Sequence, residues 1–328
     1  MPILERRDSV LPMEYPVCQN YIDAFHNSFW IANKIPFDSD RAAFDHNLTD
    51  YEKGLVKRAS LAVCNIEVKV KNFWGDLHRH VPKPEVASVG FVFANSEVIH
   101  ADSYSKLLKT LGMEDAFAEA LSVPAIRNRV DYLSKHLAYP GDDPRKAFLY
   151  TLALFSATVE GMSLFTAFYV LRSVRKRRNA LKGFSTIIDF TACEEHLHFK
   201  FGAWLFRTIA SEYPDLVAGG FLDDLKASID RAMIVEADVL GYVFGPEADV
   251  PADWEATRQE SFTILTRQYN EVLSELGVGR PTPIPAAASA ATDWFYESMA
   301  KKQSDFFSSK ETNYSFGTAV EVSPDDLF

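Results

Sequence analysis

The sequence predicts an all-α fold, a bundle of long helices, on three observations. Apolar residues recur at helical spacing over stretches far longer than a strand. Alternating runs bounded by Asn-Gly or Asp-Gly turns, the signature of hairpins, are absent. Two segments, about 145–175 and 180–210, are apolar nearly all round, the pattern of central positions in a bundle.

The elements follow in order. The first long helix opens at "TDYE", where Thr49 and Glu52 have the spacing of a capping box, and runs without proline through "GLVKRASLAVCNIEVKVKNFWGDL". A second carries "NSEVIHADSY" (95–104) and stops near Gly112, a C-terminal cap. A third starts with Asp143 as cap and Pro144 at the first helical position. A fourth, "NALKGFSTIIDFTACEEHLHFKFGAWLFRTIA", follows a short basic turn, and further helices are expected over about 218–243 and 253–276. After Gly277 the texture changes: "GRPTPIPAAASAATDW" carries three prolines, and the polar end closes on "EVSPDDLF". That stretch reads as a loop and then a flexible acidic tail with an apolar tip. The expected organisation is one helical domain over 1–300 and a tail over 301–328, with no internal repeat of fixed period.

Composition bounds the function. With 328 residues the chain can bury a large core, and a net charge of −11 argues against general nucleic-acid binding. The basic run Arg172–Arg178 reads as a solvated turn favoured by a helix dipole. The three cysteines, Cys18, Cys64 and Cys193, form no CxxC pair and read as reduced thiols of a cytoplasmic protein. No apolar run is read as long enough to cross a bilayer, and no signal segment opens the chain, so no membrane partner is expected.

Of the eight histidines, two follow a glutamate by three residues, in Glu97–His100 and Glu195–His198. On a helix, i and i+3 share a face, so each pair can grip one metal ion. One such pair is weak evidence; two in long apolar helices are much stronger. A di-metal carboxylate bundle needs one further glutamate from each of two other helices. Glu67 in "LAVCNIEVKV" and Glu160 in "LFSATVEGMSLFTAF" are acids in apolar surroundings. Four carboxylates balance two divalent cations, and oxygen-rich sites with two imidazoles suit iron or manganese rather than structural zinc. The bland alternative is acid–imidazole pairs that only brace the bundle. His78 and His80 in "DLHRH" read as surface residues at a helix end, and His196 as structural.

The order Glu67, Glu97-x-x-His100, Glu160, Glu195-x-x-His198 resembles the small, radical-generating subunit of class I ribonucleotide reductase over nearly the whole chain. The resemblance implies a ferritin-like homodimer. Metal one would be held by Glu67, Glu97 and His100 and metal two by Glu160, Glu195 and His198, with Glu97 and Glu195 bridging. It further implies that Tyr104 corresponds to the radical-bearing tyrosine and that Trp30 in "NSFW" starts a radical-transfer path. Glu194 would link that tryptophan to His100, and Tyr314 would relay the radical. The tail ending in Phe328 would dock to a separate large subunit, where a cysteine is oxidised for ribonucleotide reduction. Leu164, Phe168 and Ile188 would wall the metal pocket.

Two positions depart from the common pattern: Glu67 and Glu194 stand where the best-known members have aspartate. Lys71, one turn after Glu67, is placed to reach either Glu67 or Tyr104, or to point outward. The combination resembles the class Id subgroup, whose oxidant is a dimanganese centre and whose tyrosine stays reduced. Dimanganese is therefore the favoured cofactor and di-iron the alternative. Competing functions are a self-contained ferritin-like oxidase or oxygenase acting on a small apolar substrate, and a ferritin-like metal store.

Overall fold

The computed structural model describes residues 1–136, 139 and 141–308, apart from the side chains of 65, 67–71, 134–136 and 300–308. Among the described residues there is no strand, and the helices are α1 (Val17–Asn27), α2 (Asp38–Asn47), α3 (Asp50–His80), α4 (Pro84–Leu111), α5 (Glu114–Glu119), α6 (Pro124–His136), α7 (Pro144–Leu154), α8 (Phe165–Arg178), α9 (Lys182–Glu212), α10 (Phe221–Phe244), α11 (Ala252–Leu276) and α12 (Ala286–Ser308). The sequence-derived caps are in place. Thr49 and Glu52 exchange side-chain and backbone hydrogen bonds at the start of α3. Gly112 closes α4 at φ +65°, a conformation that favours glycine. Asp143 accepts the Arg145 N–H ahead of Pro144 at the start of α7.

A π-helical segment, Phe155–Ser163, joins α7 to α8 into one rod, Pro144–Arg178. This corrects the membrane reading of the sequence, because the rod is long and apolar enough to cross a bilayer. Its most apolar 18-residue window is buried throughout, so the rod is the central helix of the bundle. Neighbours cover it on every side, which removes the need for a polar face.

Helices α3, α4, the rod and α9 form the core around which the others pack. Close approaches at small residues set their spacing. A Cβ at Gly90 of α4 would lie 2.6 Å from the Trp74 carbonyl of α3, and one at Gly161 would lie 2.8 Å from the Phe199 ring of α9. The start of α9 is fixed from outside: Asp40 of α2 is buried and accepts the N–H groups of Gly183 (3.2 Å) and Phe184 (2.7 Å). Those amides have no partner within their own helix, so α2 supplies the cap.

Two further readings are corrected. The stretch after Gly277, expected to be loop and tail, contains α12. Three prolines end before it begins, and the alanine-rich run that follows has high helix propensity. Arg172 is not solvated: it is 8 % exposed and paired with Asp189 at 2.9 Å. Of its neighbours, Arg177 lies over Trp254 and Arg178 pairs with buried Glu52. These contacts tie α8 to α9, α11 and α3, while residues 176–178 are exposed at the end of α8, as read from sequence. His78 and His80 are exposed at the end of α3, as read from sequence.

Candidate metal centre

Three helical segments converge on one buried cluster. Glu97 and His100 project from α4, Glu160 from the π-helical part of the rod, and Glu195 and His198 from α9, all five with no exposed surface. One ligand atom from each of Glu97, Glu160, Glu195 and His198 lies within 4.8 Å of the others. Both i, i+3 pairs face inward, as the helical period requires.

The two carboxylates from those pairs each reach both imidazoles. Glu97 places Oε1 3.0 Å from His198 Nδ1 and Oε2 3.5 Å from His100 Nδ1. Glu195 places Oε1 3.0 Å from His100 Nδ1 and Oε2 3.2 Å from His198 Nδ1. Glu160 Oε2 stands 3.6 Å from His198 Nδ1 alone. The arrangement divides into a His100 side and a His198 side with Glu97 and Glu195 spanning the two.

The outer ring nitrogens are held elsewhere. His100 Nε2 is 2.7 Å from Glu194 Oε2, and the indole N–H of Trp30 donates to Glu194 Oε1 at 3.0 Å. His198 Nε2 is 3.1 Å from Ser96 Oγ, whose own hydroxyl proton is committed to the Phe93 carbonyl. In that bond the imidazole N–H must therefore be the donor. With Nε2 protonated, a neutral His198 turns the lone pair of Nδ1 to the carboxylates, the orientation of a metal-ligating histidine.

The electrostatics are those of a site short of cations. Burial alone would lower His100, but hydrogen bonds with Glu194, Glu195 and Glu97 raise it well above the ordinary value. His198 is raised likewise, against its burial, by Glu160, Glu195 and Glu97. Burial, and then the charges of Glu195 and Glu97, push Glu160 far up. Burial would also raise Glu195, yet hydrogen bonds from Glu160, His100 and His198 hold it below the usual carboxylate range. Both Glu97 oxygens, Glu160 Oε2 and Glu195 Oε1 are buried and accept no well-formed hydrogen bond. Oxygens so placed carry a large desolvation cost unless a cation faces them. The donor set fits a pair of divalent ions with oxygen-rich coordination.

One contributor was not read from the sequence. Trp74 of α3 is fully buried and donates its indole N–H to Glu160 Oε1 at 2.9 Å, its ring 5.7 Å from that of His198. The available signal was spacing: Trp74 follows Glu67 by two helical turns and so shares its face. Tyr104 is 2 % exposed and borders a cavity of about 230 Å³ with Cys64, Leu108 and Phe117. Leu164, Phe168 and Ile188 are buried. Glu67 and Lys71 lie on α3, with side chains outside the described residues, and Tyr314 and Phe328 lie outside them altogether.

The family described as "Ribonucleotide reductase, small chain" matches residues 7–278. The chain is 27 % identical to a "Probable ribonucleoside-diphosphate reductase small subunit" of Invertebrate iridescent virus 6, over 82 % of this chain and 80 % of the relative. It is 22 % identical to the "Ribonucleoside-diphosphate reductase subunit beta" of Halalkalibacterium halodurans, over 96 % of this chain and 88 % of that one. Among solved structures it shares its fold with the ribonucleotide reductase R2 subunit from Clostridium botulinum (TM-score 0.76, 17 % identity, covering 91 % of this chain and 94 % of that one). An R2-like ligand-binding oxidase with a Mn/Fe cofactor also has this fold (TM-score 0.64, 17 % identity, covering 82 % and 95 %).

Proposed function

The chain belongs to the ribonucleotide reductase small-chain family, and we infer from that premise that it is the radical-generating small subunit of a ribonucleoside-diphosphate reductase. It is an oxidoreductase subunit, a homodimer, that acts with a separate large subunit. The observation that carries the reading is the pair Glu97 and Glu195, each spanning both imidazoles, with His100 tied through Glu194 to Trp30.

His100 and Glu97, with Glu67 from α3, would hold one metal ion, and His198, Glu160 and Glu195 the other, Glu97 and Glu195 bridging. When bound, the dinuclear centre supplies a strong one-electron oxidant. The chain's own residues do the rest. Burial on all sides excludes water from the five donors and keeps the oxidant from side reactions. Ser96 and Glu194 fix the two imidazoles by their outer nitrogens. Glu194 Oε1 holds the Nε1 proton of Trp30, so an indole that gives up an electron has a carboxylate in place for its proton. Trp30 in turn borders a surface cleft with Lys34 and Lys182, where a path toward a second protein would leave the subunit.

Manganese is the favoured metal and iron the alternative. The support is Glu67 at the first ligand position with Lys71 one turn on, the combination that resembles the dimanganese subgroup. In that case Tyr104 would stay reduced. The tail, with Tyr314 as relay and the acidic end at Phe328, is the proposed contact with the large subunit, and the cytoplasm the proposed location.

Deleting residues 309–328 tests the reading, with ribonucleoside-diphosphate reduction measured beside a class I large subunit. Loss of reduction with metal content unchanged is expected. Undiminished reduction would remove the tail from the account. A full-length, metal-loaded chain that never supports reduction but oxidises small apolar compounds would make it a self-contained oxidase.

A further inference from the structure

Glu160 lies in the part of the central rod where the helix widens to π geometry. A π turn pairs each N–H five residues back rather than four, so its backbone bonds are displaced from the regular helical pattern. Hydroxyl groups bond several carbonyls along it: Ser156 donates to the Leu152 carbonyl, Thr158 to that of Leu154 and Ser163 to that of Thr158. The carbonyl of Gly161, the residue directly after Glu160, is met from another helix. The side-chain amide of Gln268, on α11, donates to it at 2.8 Å.

Gln268 is 1 % exposed, and its amide is fixed at both ends. The hydroxyl of Tyr296, on α12, donates to Gln268 Oε1 at 2.9 Å. The Gly161 carbonyl can only accept, so the NH₂ must face it, which turns the amide oxygen toward the Tyr296 hydroxyl. Tyr296 is itself held: its ring lies 4.0 Å from the Arg267 guanidinium, which binds the Ser289 carbonyl, Thr292 and Asp293 of α12. For packing alone, leucine or methionine would serve at position 268 without the cost of desolvating an amide. An amide there is accounted for by the buried bond it donates to the Gly161 carbonyl, which neither leucine nor methionine can make.

We propose that Gln268, oriented by Tyr296, is a positioning residue for the metal centre: it holds the π turn that aims Glu160 at the His198 side of the cluster. The inference rests on the reading of Glu160 as a metal ligand given above. Trp74 fixes the side chain of Glu160 through Oε1, and Gln268 holds the carbonyl of the next residue, Gly161, leaving Oε2 directed at His198.

The test uses the full chain and three variants: Gln268→Met, which keeps length and loses the donor; Tyr296→Phe, which only frees the amide to rotate; and Leu273→Ala, a buried position further along α11. Each is titrated with Mn(II) and followed by electron paramagnetic resonance, and amide hydrogen exchange over residues 155–163 is measured without metal. Gln268→Met is expected to weaken one of the two Mn(II) ions by about 10- to 100-fold, leave the other near wild type, and speed exchange in the π segment. Tyr296→Phe shifts both readouts the same way by less, and it decides the matter if Gln268→Met does not fold. Leu273→Ala lowers the melting temperature while the two ions keep their relative affinities. Wild-type Mn(II) binding and exchange in the Gln268 and Tyr296 variants would overturn the inference, as would losses in parallel with Leu273→Ala. A wild-type chain that takes up no pair of ions would overturn the metal-centre reading, and this inference with it.

Discussion

Trp30 reaches His100 through a single carboxylate: its indole N–H donates to Glu194 Oε1 at 3.0 Å, while Glu194 Oε2 stands 2.7 Å from His100 Nε2. The line is buried along its length, so its hydrogen bonds work in a low dielectric. Trp30→Phe keeps the aromatic bulk and removes the donor. It is expected to retain the metals and fall to background in ribonucleotide reduction with the large subunit. Metal analysis and turnover on one preparation check both halves.

Trp74→Phe separates the support of Glu160 from the ligand itself. The variant leaves a buried carboxylate oxygen without its donor but keeps most of the ring packing. Metal affinity should fall by about 10- to 100-fold, the usual effect of losing a group that orients a ligand. Calorimetric titration with Mn(II) gives the number, and unchanged affinity would remove Trp74 from the site.

Asp40 caps α9, the helix that carries Glu194, Glu195 and His198. Asp40→Ala should destabilise the protein by about 1–2 kcal/mol, the cost of losing an N-terminal cap. Urea unfolding measures it. Because the capped amides lie about three turns before Glu194 and Glu195 along α9, metal stoichiometry should hold.

Arg129 and Glu236 form an ion pair 2.7 Å apart that is almost wholly buried, with Arg129 also donating to the Ala62 carbonyl at 2.6 Å. Removing either partner strands the other, so Arg129→Met alone should cost about 3–5 kcal/mol. Adding Glu236→Leu should restore much of that loss. The pair also has a pH signature. Burial raises Glu236 above its ordinary 4.5 although Arg129 opposes the shift, so the folded state holds this proton more tightly than the unfolded chain. Its contribution to stability is thus full below the unfolded pKa and is lost as pH rises through the folded one. Glu236→Gln should flatten the wild-type profile in that window when the two unfolding curves are compared.

The parts legible in the sequence were those written in local spacing. The i, i+3 pairs Glu97–His100 and Glu195–His198, the Thr49–Glu52 box and the Gly112 stop each lie within one or two turns, where helical geometry dictates the outcome. Trp74 and Gln268 were not found because each acts on the Glu160 segment across about a hundred residues, 86 and 107 respectively, and no local period records such a contact. The π turn escaped for a related reason: its sequence is an ordinary apolar helix, and the contact that singles it out comes from a distant amide. Arg172 was taken for solvated because charge predicts exposure on average. Its partner Asp189 lies on the next helix. Helix α12 was masked by the prolines ahead of it.

Electron paramagnetic resonance of the full chain loaded stepwise with Mn(II) tests the central claim most directly. The account predicts two ions per chain, with the signal of isolated Mn(II) giving way to that of a coupled pair as the second ion binds between Glu97 and Glu195. A chain that binds a single uncoupled ion, or none, at the buried Glu97–Glu195–His198 cluster would contradict it.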